Sequence, residues 1–118
     1  MDVPRIRRSL LRVHGNQCWR CQQAFPDKDL TIDHLIPRSL FGSNNLLNLR
    51  LACKPCNQKR GNKIDAQVLL ELTGCQSLKN MTLKSILEKF PPSIFQEGFQ
   101  TSHPQVYIKV MEQVTLDF

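Results

Sequence analysis

The chain has 118 residues, enough for one small domain with a modest core, and its 41% apolar content argues against wholesale disorder. Its formal charge of +6 is unevenly spread: Arg38, Arg50, Lys54, Lys59, Arg60 and Lys63 are set against Asp33 alone within 31–63, whereas 64–118 is net acidic. A basic field so concentrated suits a polyanion, of which nucleic acid is the usual one. No apolar run approaches a membrane span or a secretory signal, so a protein that is not secreted, with a cytoplasmic or nucleoid-associated setting and no membrane partner, is expected.

In chain order, Pro4 suits the first turn of a helix, and Ile6, Leu10, Leu11 and Val13 recur at roughly helical spacing up to Gly15. This predicts a basic helix over about 4–14 that carries Arg5, Arg7, Arg8 and Arg12, with His14 at its end. The knuckle Cys18-Trp19-Arg20-Cys21 follows, in which Trp19 is expected to cover the thiolates. Residues 26–29 read as a turn and 30–36 as a short strand closed by Pro37. The polar loop 37–45 contains Gly42 and ends on Asn44-Asn45, and 46–51 reads as a returning strand or extended turn. From Cys56 of the second knuckle, Cys53-Lys54-Pro55-Cys56, a short helix is predicted to carry Asn57, Lys59, Arg60 and Lys63, weakened by Gly61. Beyond it, 64–72 reads as a helix ended by Gly74, and 82–90 as another, with Thr82 as cap and Pro91-Pro92 as stop. The segment 104–118 fits a helix face or a strand, and Pro104 tips it to helix.

Two Cys-x-x-Cys pairs in an unexported chain have the spacing of a closed tetrahedral zinc site, with Cys18, Cys21, Cys53 and Cys56 as ligands. Cys75 has no place in that set and reads as a small buried hydrophobe. Zinc held by four thiolates has no open position, so any chemistry must come from Asp33, His34, Asn48 and Asn57.

The motifs CWRC, DHLIPRS, NNLLNLRLAC and CKPCN together resemble the HNH endonuclease family, the ββα-metal nucleases, in the form with a four-cysteine structural zinc site. The resemblance covers roughly residues 18–63. It implies an α+β fold in a single domain: a small ββα-metal core with two zinc knuckles, the N-terminal helix before it, and a mostly helical C-terminal extension over about 64–118. It also implies roles. His34 matches the general base, and Asp33 a ligand of one catalytic cation, Mg2+ or Mn2+. Asn48 matches the central Asn that braces the loop and orients the base. Asn57 stands where the family's last His often stands, which makes this an H-N-N variant with Asn57 as a second cation ligand.

The activity implied is hydrolysis of DNA phosphodiesters by an endonuclease, leaving 5′-phosphate and 3′-hydroxyl ends, on DNA in double-stranded form. Lys59, Arg60 and Lys63, with Arg38, Arg5 and Arg8, are the residues expected to contact it. Imidazole suits the base because its ordinary pKa, about 6.5, lets it accept a proton near neutrality. The alternative reading is a catalytically inactive, zinc-stabilised nucleic-acid-binding module. One geometric condition follows from either. Neighbours on a regular strand point to opposite faces, so Asp33 and His34 serve one site only if the strand ends or bulges there. Oligomeric state, cleavage preference and the role of 75–118 leave no mark in the sequence.

Overall fold

The computed structural model describes residues 1–74, 81–96, 110 and 112–115. Cys75 and most of the segment 104–118 lie outside the described residues. Helix α1 (Val3–His14) starts where the Asp2 side chain accepts the Arg5 N–H at 3.2 Å, with Pro4 in its first turn, and stops at Gly15, whose φ is 75°. An unpaired N–H at a helix start needs such a cap, and a positive φ suits glycine. Leu10 is buried from this helix, which packs on strand β2.

Strands β1 (Leu30–His34) and β2 (Leu49–Cys53) pair antiparallel, with Leu30 opposite Cys53, Asp33 opposite Arg50 and His34 opposite Leu49. Helix α2 (Lys54–Arg60) leaves β2 at once, with Pro55 in its first turn, and packs back on both strands. This is a ββα unit in a small α+β protein. Three boundaries differ from the sequence reading. The first strand ends two residues early, at His34. The returning strand starts three residues late, because Leu46–Asn48 is a 3₁₀ turn closed by the Asn45 side chain, which accepts the Leu47 N–H at 2.9 Å. The helix begins before Cys56 rather than at it.

After α2, strand β3 (Ile64–Asp65) precedes helix α3 (Ala66–Thr73), so the apolar run beginning at Ile64 divides between the two. The division falls at Asp65, whose carboxylate accepts the Val68 N–H and caps α3. Gly74, at φ 68°, ends it. Helix α4 (Leu83–Glu88) is capped by Thr82, as expected, though it stops short of Phe90. Strand β4 (Val114–Thr115) pairs parallel with β3, which corrects the helical reading at those two positions. Leu10, Leu30, Leu49 and Leu51 from the front of the chain share one core cluster with Ile64, Val68, Leu69, Ile86 and Ile94 from the rear. Among the described residues, no helix is long and apolar enough to cross a membrane.

The rear segment also grips the loop between β1 and β2. The Ser43 N–H donates to the Ile94 carbonyl at 2.8 Å, and the Gln96 N–H to the Phe41 carbonyl at 2.7 Å. At Gly42 the backbone doubles back so closely that an added Cβ would lie 1.7 Å from the Ile36 carbonyl oxygen. No larger residue fits there without moving main chain.

Candidate functional site

The two knuckles meet. The Sγ atoms of Cys18, Cys21, Cys53 and Cys56 all lie within 4.8 Å of one another. A tetrahedral zinc with bonds of about 2.3 Å needs sulfurs about 3.8 Å apart, so a set of four soft thiolates at this spacing fits zinc with a small contraction. Their acidities diverge. Burial pushes Cys18 up, but backbone N–H groups of Cys21, Cys53 and Arg20 outweigh it and bring the thiol down to about 7. Cys56 is pushed up to about 12, first by burial and then by the neighbouring sulfurs. Crowded thiols share protons in this way until a cation takes their place.

An open cleft of about 270 Å³ is lined by Asp33, His34, Arg38, Ser39 and Asn57 among others. Asp33 and His34 both line it, although they are neighbours paired within β1, with His34 the last residue of the strand. The Asn57 amide donates from Nδ2 to Thr31 Oγ1 at 2.9 Å, and its Oδ1 has no partner among the described residues. One carboxylate and one amide oxygen are hard donors, and they fit Mg2+ or Mn2+ better than a soft ion.

Asp33 is 5% exposed, and each carboxylate oxygen has a donor. Trp19 Nε1 donates to Oδ2 at 2.9 Å, and Arg60 Nη1 to Oδ1 at 2.7 Å. Here the sequence reading needs correction. Arg60, expected among the DNA contacts, is 3% exposed and turned inward. Where β1 stops, the carbonyls of His34 and Leu35 would be left unpaired, and the Arg60 guanidinium donates to both while its Nε donates to the Lys63 carbonyl. Trp19, expected only to cover the thiolates, is also a hydrogen-bond donor to Asp33.

Asn48 is fully buried and lies behind the cleft. Its Nδ2 donates to the carbonyls of Ile36 and Ser43, its Oδ1 accepts the Ile36 N–H at 2.8 Å, and its own carbonyl accepts the Leu35 N–H. It thus holds the chain that follows His34. A residue missed in the sequence stands on the same loop. Asn44 Oδ1 lies 2.8 Å from His34 Nε2. A polar loop of two adjacent asparagines offered the signal, though not the choice between them.

Arg38, Lys59 and Lys63 are exposed on the cleft side and on α2 and the turn after it, and Arg5 and Arg8 are exposed on α1. Arg7 is occupied within the fold, donating to the carbonyls of Asp27 and Leu30.

A family model described as HNH endonuclease matches residues 18–73. No curated protein matches the chain. Among solved structures, it is similar to the Type II-C Cas9 enzyme from Actinomyces naeslundii, at 18% identity and a TM-score of 0.47, over 95% of this chain and 13% of that one. The chain therefore spans only a small part of that much longer protein. The match covers both knuckles, β1, β2, β3, α2 and α3, so it is this part of the chain that is similar to the HNH endonuclease family.

Proposed function

We propose that the chain is a metal-dependent endonuclease that hydrolyses phosphodiester bonds of double-stranded DNA, leaving 5′-phosphate and 3′-hydroxyl ends. The observation that carries this reading is one cleft that gathers an imidazole, a carboxylate, an amide oxygen and the exposed guanidinium of Arg38. Phosphodiester hydrolysis needs a proton acceptor for the attacking water, counter-charge for the phosphate and help for the departing oxygen. His34 is the proton acceptor. Asn48 holds the backbone on which it sits, and Asp33 and Asn57 would hold the cation. A hard cation bound there supplies charge neutralisation at the phosphate and stabilises the leaving oxygen. Arg38 meets the phosphate at the cleft, while Lys59, Lys63, Arg5 and Arg8 hold more distant phosphates without reading bases. The four cysteines would hold zinc, which fastens the knuckles and takes no part in the reaction.

Plasmid cleavage by the zinc-loaded protein, with Mg2+ and with the cation withheld, tests the proposal, and His34→Ala is its decisive variant. A positioned general base contributes about 10²–10⁴-fold, so that substitution should remove most cleavage while zinc content, folding and DNA binding stay near normal. Undiminished cleavage by His34→Ala, in a preparation free of contaminating nuclease, would sink the assignment. One observation favours the inactive binding module instead: Asp33 already has a counter-charge in Arg60. Binding of DNA with no cleavage under any divalent ion would decide for it.

A further inference from the structure

Trp19 belongs to two centres at once. Its backbone lies inside the first knuckle, next to Cys18, and its indole N–H reaches across to Oδ2 of Asp33 at 2.9 Å. We propose that Trp19 is a positioning residue that couples the four-cysteine cluster to the cation carboxylate, so that the closed knuckle sets the affinity of the cleft for its hard cation. This rests on the reading of Asp33 as a cation ligand.

Three features support more than a packing role. Oδ2 of Asp33 has the indole as its protein donor, while Oδ1 is served by Arg60, so each oxygen is tethered separately and the carboxylate cannot rotate. A phenyl ring would fill much of the same space but could not donate. Trp19 is also held at its main chain, where its backbone N–H donates to the Leu51 carbonyl at 2.9 Å and Gln22 Nε2 donates to its carbonyl at 2.7 Å, while the Arg20 guanidinium lies 5.2 Å from the ring centroid. Arg20 is fixed in turn by two hydrogen bonds to Asp65. With both neighbouring cysteines drawn to one ion, the knuckle has no freedom to carry the ring away. With them released, the tether on Oδ2 is the first contact to go.

Groups that hold a metal ligand in place typically change affinity or activity by about 10–100-fold when removed. The variant is Trp19→Phe, made in the full chain and loaded with zinc. Mn2+ affinity, read from the free-ion signal by electron paramagnetic resonance, should fall by about 10–100-fold while zinc content stays at wild-type level. Cleavage should return as Mn2+ is raised, with kcat near wild type, because affinity rather than chemistry was lost.

A second measurement needs no variant. Trp19 is the sole tryptophan, so the indole N–H gives one resonance, which Mg2+ should shift in the zinc-loaded wild type. An unmoved resonance, together with wild-type Mn2+ affinity in Trp19→Phe and weakened affinity in Asp33→Ala, overturns the coupling alone. Unchanged Mn2+ affinity in Asp33→Ala overturns the cation assignment and the coupling with it.

Discussion

Nε2 of His34 lies within hydrogen-bonding distance, 2.8 Å, of Oδ1 of Asn44. An amide oxygen only accepts, so this contact puts the ring proton on Nε2 and leaves Nδ1 with the free lone pair. The loop residue therefore selects which nitrogen of the proposed base can act. Asn44→Ala removes one hydrogen bond, worth about 0.5–1.5 kcal/mol, and should slow single-turnover cleavage by about 3–10-fold with DNA affinity unchanged. That loss is far smaller than the one expected for His34→Ala. Wild-type rates in Asn44→Ala would mean that the ring is oriented by something else.

The buried ion pair leads to a contrast between neighbours on α2. Arg60→Ala should leave the Asp33 charge buried without its partner and destabilise the fold by about 3–5 kcal/mol, visible in chemical denaturation. Lys59→Ala should hardly change stability, yet lower the salt dependence of DNA binding by roughly one unit of slope. If Arg60→Ala instead melts like wild type and shows the reduced slope, the inward role is wrong.

Zinc gives the third expectation. Elemental analysis should find one zinc per chain, lost on replacing any of Cys18, Cys21, Cys53 or Cys56 and retained in Cys75→Ser. Because the cluster joins the start of the domain to the junction of β2 and α2, stripping the ion should unfold residues around both knuckles, as measured by loss of amide protection. Folded, active protein without zinc would end the idea.

A pH-dependent effect belongs to Asp65. Burial pushes its carboxyl up, but the Arg20 guanidinium and the Val68 N–H outweigh this and hold it below the usual carboxylate range. A lowered value in the folded state contributes stability above the unfolded pKa, near 3.9, which is lost as pH falls through the folded value. Asp65→Asn keeps an acceptor to cap α3 but removes the ion pair. It should cost about 0.5–1 kcal/mol at pH 7, and its deficit against wild type should shrink away as pH falls through the folded value. Zinc loss in acid affects both proteins alike, so the difference is the quantity to read.

What the sequence disclosed was local. Four cysteines at fixed spacing, an Asp-His pair ahead of Pro37, and Asn57 beside Cys56 are patterns that survive without coordinates. Their convergence is a matter of register, and the pairing of Asp33 with Arg50 depends on where a turn closes. Strand and extended turn are not distinguished there by the sequence, because Leu46 and Leu47 look like strand residues, yet they are 45% and 54% exposed. The apolar pattern says nothing of an Asn45 side chain closing the backbone. Arg60 was misjudged for a related reason: a charge run reads as surface unless the unpaired carbonyls it must satisfy are already known. The Trp19–Asp33 and His34–Asn44 contacts join residues 14 and 10 apart, and no short motif encodes them.

The grip of Ile94 and Gln96 on Phe41 and Ser43 bears on what could be transplanted. A fragment cut at residue 73 would keep the four cysteines of the cluster and every residue of the cleft, and by motif it would look complete. It would nevertheless lack the strap that holds the loop carrying Asn44 over His34. The length matched by motif and the length that holds the cleft's loop in place are thus different, and grafting this site onto another protein would require the longer one.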